Sequence, residues 1–249
     1  MLKKRRLSQN EEAIRGILLI IVFIVGLIFL RDVLVKRGVR IAMLTELDYI
    51  NAAEYYMQKK YGEKFEGEYV YEDSVYVHPK SKPEWHVVVD FYSENGLTYF
   101  GDNYVGYLKK AELEKYIYEL VKPIYGECKV YTQPWGFSLD DSFDKDTDIM
   151  TYVSNSDYTI SILTDKKAEN IEEDFRKVCD TFLNKNLQGD KLYVLYVTKE
   201  DLDKFEEYRM DYIFNKCDYY YRISRLYDNV DKTWLDNIDI LEGDKGYGK

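Results

Sequence analysis

Fifteen consecutive uncharged residues, Gly16 to Leu30, follow a basic cluster at Lys3-Lys4-Arg5-Arg6 and stop at Arg31. A helix that is apolar on every side belongs in a core or a bilayer, and one placed directly behind a basic tail favours the bilayer. The run reaches about 22 Å at 1.5 Å per residue, roughly two thirds of a hydrocarbon core. It lengthens if Arg15 and Arg31 snorkel and if Ala13, Ile14 and Val33 to Val35 occupy the interfacial layers. The residues after Leu30 offer neither a small-x-small cleavage site nor a lipid-accepting cysteine. The expectation is an uncleaved, single-pass signal-anchor. Residues 1–12 form its basic cytoplasmic tail, 13–35 the transmembrane helix and 36–43 a linker, with the C-terminal domain outside the cytoplasm.

Charge separates the two parts of the chain. Residues 1–41 carry a net +6, so the whole-chain value of −10 leaves −16 for residues 42–249. A domain of that sign repels phosphate backbones, which argues against nucleic acid as a partner and suits cationic ligands or divalent ions. All 26 tyrosines follow residue 48. Two readings stay open: an aromatic surface for carbohydrate or peptide recognition, or a low-GC coding bias that also enriches Lys, Asn, Asp and Ile, with the rings half-buried on strands.

Periodicity predicts an α+β chain of one or two small mixed units with antiparallel sheets. Thr45-Glu46-Leu47-Asp48 is a capping pattern for a helix ending at Gly62. Strands follow over 66–73, 85–92 and 97–100, the last two joined by Asn95-Gly96, a strong hairpin signal. A helix over 109–122 closes an α-β-β-β-α unit at 44–126. A second α+β unit spans 127–241. It reads as a strand at 127–133, a polar loop at 134–157, a strand at 158–163, a helix at 168–187 and a strand at 192–197. A short helix capped by Thr198, a strand at 212–223 and a terminal helix with Trp234, Leu235, Ile238 and Leu241 complete it. Residues 242–249 should fray.

The basic N-terminus and hydrophobic segment, followed by a helix ending Tyr56-Met57-Gln58-Lys59-Lys60-Tyr61-Gly62-Glu63-Lys64-Phe65, resemble uncharacterised exported or membrane-anchored proteins of low-GC Gram-positive bacteria. The likeness covers mainly residues 1–100. The helix-then-strands order is also similar to cystatin-like and PepSY-like modules, which would imply binding or inhibition. Neither resemblance assigns a functional residue.

Chemistry-bearing constellations are few. Asp144, Asp146 and Asp148 have the spacing of the first three ligands of a calcium loop, but the sixth position is Ile149 rather than Gly and the twelfth is Asn155 rather than Glu. They are candidate metal ligands for a looser calcium site, set against a solvated acidic loop. His78 and His86 lack companions at metal spacing. Cys128, Cys179 and Cys217 stand in no zinc or redox spacing and read as buried thiols. No nucleophile elbow, zinc-protease, phosphate-loop or dinucleotide motif occurs. The expected function is therefore a non-catalytic binding or envelope-associated protein. A carboxylate-dependent envelope hydrolase and a calcium-stabilised surface module are the alternatives, and the partner would be an envelope component.

Overall fold

The computed structural model describes residues 9–36, 45–94, 97–135, 139–140, 142–187, 189–205, 219–228, 231 and 233–243. The chain is α+β, and the described residues form ten strands and six helices. They divide into two compact units, residues 1–81 with 91–100, and residues 82–90 with 101–249.

Helix α1 (Gln9–Lys36) carries the N-terminal apolar run. Its apolar side chains from Ile17 to Leu30 are 49–71% exposed, and none joins the core. Among the described residues no helix is long and apolar enough to cross a membrane. The transmembrane segment expected over 13–35 is corrected accordingly, together with the single-pass membrane protein and the membrane contact built on it. The physical reason is length. The uncharged part of α1 covers about 22 Å of a core roughly 30 Å thick, and charged Arg15 and Arg31 bound it on either side.

In the first unit, α2 (Glu46–Tyr61) begins at the expected capping box, with Asp48 accepting from the Thr45 backbone and hydroxyl. It ends at Gly62, whose φ of 78° is the left-handed conformation that glycine adopts without strain. Two strands follow where one was expected: β1 (Phe65–Tyr71) and β2 (Ser74–Pro79), antiparallel across a tight turn at Glu72-Asp73. With β3 (Val87–Glu94) and β4 (Leu97–Asp102) they make a four-stranded sheet in the order β1-β2-β3-β4. Asn95 and Gly96 lie outside the described residues. Ala52, Ala53 and Met57 of α2 and Phe65, Val75 and Val77 of the sheet form the unit's core. Tyr49 stacks on Phe91 and Tyr56 on Phe100 across the same layer.

In the second unit, α3 (Tyr104–Tyr125) packs on β5 (Cys128–Pro134) through Leu113, Ile117 and Val121. Read from sequence, this helix closes the first unit; here it belongs to the second. The expected polar loop contains α4 (Ile149–Asn155), and β6 (Tyr158–Thr164) follows. Helix α5 (Ile171–Asn184) then connects β6 to a parallel β7 (Lys191–Tyr196), so the sheet is mixed rather than antiparallel throughout, as a helical crossover requires. After α6 (Lys199–Lys204), β8 (Tyr221–Asp228) completes the path, and the expected strand at 212–223 lies largely outside the described residues. The predicted terminal helix is corrected to two short strands, β9 (Thr233–Trp234) and β10 (Asp239–Glu242), both paired antiparallel with β8. The Trp234 indole donates to the Cys179 carbonyl at 3.1 Å, which ties the segment to α5 in an extended form. The order is β10-β8-β7-β6-β5.

Candidate functional site

Helix α2 covers one face of the first sheet and leaves the other open. Phe65↔Pro79, Gly67↔Val77 and Val70↔Val75 are register partners directed at α2. A Cβ on Gly67 would lie 2.4 Å from Ile50 of that helix, so only glycine allows the approach. Strict alternation would send Tyr69 and Tyr71 to the same side as Phe65 and Gly67. A bulge between Gly67 and Tyr69, with Glu68 as the extra residue, inverts the phase. Tyr69↔Tyr76 and Tyr71↔Ser74 therefore face outward.

The second hairpin repeats the arrangement. Tyr69 and Tyr76 each stand three residues from the Glu72-Asp73 turn, and Tyr92 and Tyr99 each stand three residues from Asn95-Gly96. Both pairs stack, at 4.5 Å and 16° for Tyr69 with Tyr76 and 5.5 Å and 17° for Tyr92 with Tyr99. Tyr69, Tyr71, Tyr92 and Tyr99 are 47%, 60%, 51% and 37% exposed, and Tyr76 is half-buried. The Phe91 amide donates to the Asp73 carbonyl at 3.0 Å, which brings Tyr92 beside the exposed acids of the first turn. Glu72 there has a φ of 51°, left-handed for a non-glycine residue.

Acidic side chains border the tyrosines. Glu66 pairs with Lys80 at 3.3 Å, and Glu68 meets His78 Nδ1 at 3.0 Å. A carboxylate–imidazole pair can serve acid–base chemistry, but it stands here on an open sheet face rather than in a cleft. The arrangement as a whole suits contact: five amphipathic rings, each with few rotatable bonds, offer apolar area and outward hydroxyls at low entropic cost.

The residues singled out from sequence have local structural roles. Asp144 Oδ1 accepts from the Asp146 amide at 2.8 Å, and the Asp144 amide donates to the Thr147 hydroxyl at 2.9 Å. Asp148 caps α4, accepting from the amides of Met150 and Thr151 at 3.0 Å each and from the Thr151 hydroxyl at 2.5 Å. That hydroxyl, then the Thr151 amide, holds the Asp148 carboxyl below the usual carboxylate range. Among the described residues no group of three His, Cys, Asp or Glu is placed to hold a metal ion. His86 lies just before β3, where its carbonyl accepts from the Tyr107 hydroxyl at 2.6 Å. Cys128 and Cys179 are buried free thiols, and Cys217 lies outside the described residues.

Sequence reading left an aromatic surface open as one of two readings without locating it, although a signal for its place was there. A two-residue turn pairs the positions equidistant from it, so Tyr-x6-Tyr centred on Asn95-Gly96 already implies a cross-strand ring pair. The matching Tyr-x6-Tyr around Glu72-Asp73 needed recognition of that turn, which carries no glycine.

No protein-family model matches this sequence, and none of the curated proteins does either. Among solved structures the chain is similar to the crystal structure of a DUF5037 family protein from Ruminococcus gnavus, at 15% identity and a TM-score of 0.37, over 74% of this chain and 93% of that one. A similarity of that size carries no argument about function.

Proposed function

We propose that this protein is a non-catalytic binding protein whose contact surface is the outer tyrosine face of its first sheet. One observation carries the reading: two stacked tyrosine pairs and Tyr71 stand on the side of the sheet that α2 leaves open. Exposed aromatic surface of this kind, bordered by polar groups, is what interaction sites are made of. In this reading the partner is an envelope component and the domain lies outside the cytoplasm. Protease treatment of intact against lysed cells tests that location, and a domain protected until lysis would refute it.

The surface itself is tested by co-sedimentation of the full chain with isolated cell-envelope material. Tyr71→Ala with Tyr92→Ala should abolish the association while leaving the melting temperature within a few degrees, because exposed cross-strand rings contribute only about 0.2–1 kcal/mol each. Undiminished association of the double variant would refute the tyrosine face as the contact surface. Reproducible turnover of an envelope polymer, lost on substituting carboxylates of the 140–148 segment, would replace the reading with a hydrolase.

A further inference from the structure

Resting on that reading, we infer that the tyrosine face takes a Lys/Arg-rich polypeptide segment of a partner protein, and not a glycan. Ring orientation is the first ground. A centroid separation of 4.5 Å between Tyr69 and Tyr76 is close to the spacing of adjacent strands, about 4.8 Å, and the rings are within 16° of parallel. Rings stacked along the strand-to-strand direction stand upright on the sheet, with their planes roughly perpendicular to it. The Tyr92–Tyr99 pair, at 5.5 Å and 17°, is also near-parallel, with a wider offset between its rings. A pyranose stacks broadly on an exposed ring face, and upright pairs turn edges and hydroxyls, not faces, toward solvent. The ring faces that Tyr92 and Tyr99 do not share with each other point sideways, along the sheet. A long side chain can descend there and lay a methylene stem and a cationic head against the ring.

Charge is the second ground. Glu72 and Asp73 are exposed in the turn next to Tyr71, and Tyr92 lies beside that turn through the Phe91–Asp73 hydrogen bond. Glu66 and Glu68 at the other end of the hairpin are already paired with Lys80 and His78, which leaves the turn as the acidic end of this face. Residues 42–249 together carry −16, so a basic segment is attracted at long range and a polyanion is repelled. The protein's own cations already show the local contact: Lys191 lies 4.7 Å from the Tyr193 ring centroid, and Lys60 lies 5.4 Å from those of Tyr56 and Tyr61.

The repetition of the pairs is the third. They occupy strands 1 and 2 and strands 3 and 4 of one sheet, two strand spacings or about 10 Å apart in the lateral direction. A polyproline II segment has three residues per turn and advances about 9 Å per turn, so basic residues three apart lie on one side and present one side chain to each pair.

The test is calorimetric titration of the full chain with an oligo-arginine peptide and, separately, with an N-acetylglucosamine oligosaccharide. Peptide binding should weaken about tenfold in Tyr71→Ala/Tyr92→Ala, which leaves every charge in place, and by a similar factor in Glu72→Gln/Asp73→Asn. Glu112→Gln/Glu119→Gln, which removes two exposed acids from α3, should leave it unchanged. If both charge variants weaken the peptide equally and the tyrosine variant does not, binding reflects overall acidity and the inference falls. If the oligosaccharide binds in a Tyr71- and Tyr92-dependent way and the peptide does not, the tyrosine face stands as a binding surface and only the basic occupant is overturned. If the tyrosine variant affects neither probe, both readings fall.

Discussion

At Cys128 and Cys179 the surroundings favour the neutral thiol, burial pushing the two groups up to about 12 and about 11 respectively. The thiolate is the reactive species, so alkylation at neutral pH should run more than about tenfold slower in the folded protein than in denaturant. Mass spectrometry of the two peptides checks this, and equal rates would refute their burial. Two carboxylates give opposite pH signatures. Asp148 is held low by the Thr151 hydroxyl and amide, so its contribution is present above the ordinary carboxyl range and lost as pH falls through the lower folded value. Asp148→Ala should therefore lower the melting temperature at neutral pH, with the difference closing in acid. Asp190 is raised by burial and then by Asp157, so the folded state holds its proton more tightly and loses stability as pH rises through the raised value. Asp190→Asn should raise the melting temperature at neutral pH, and that gain should fade as pH falls through the raised value. Melts at a series of pH values read both, and differences independent of pH would refute the assignments.

At the scale of elements, a single inserted residue decides which side of the first sheet carries tyrosine. Glu68 is the extra residue of the β1 bulge, and deleting it returns Tyr69 and Tyr71 to the phase of Phe65 and Gly67, beneath α2. The deletion should depress the melting temperature and remove the tyrosine-dependent binding together; a variant that melts normally and binds would show that the bulge does not set the face. Helix α3 makes a comparably tight contact. A Cβ on Gly106 would lie 2.4 Å from the Tyr152 hydroxyl and 2.5 Å from the Pro134 ring, inside any tolerated contact. Gly106→Ala should cost about 1–3 kcal/mol by overpacking, measured by denaturant unfolding.

For the whole molecule, the two compact units carry their own cores, and the apolar side chains of α1 from Ile17 to Leu30 join neither. Removing residues 1–36 should leave the thermal transition of the remainder unchanged and reduce aggregation, because a contiguous exposed apolar surface is withdrawn from water. Differential scanning calorimetry with light scattering checks both, and loss of the transition would assign α1 a place in the fold.

What the sequence determined by itself is local. The Thr45–Asp48 box, the Gly62 stop, the Thr198 cap and the apolar stripe of α5 were legible because each closes its hydrogen bonds or repeats its pattern within a few residues. The α4 cap at Asp148 is equally local, but a competing resemblance to a calcium loop drew the same carboxylates to another reading. Only tertiary structure decided the rest. Residues 234–241 have apolar spacing that suits a helix, and β8 with the Cys179 carbonyl holds them extended instead. The mixed sheet, the membership of α3 and the outward turn of Tyr69 and Tyr71 likewise depend on partners distant in the chain. Backbone groups must be satisfied wherever they end up, and the strand that satisfies them is chosen by packing, which no local pattern records.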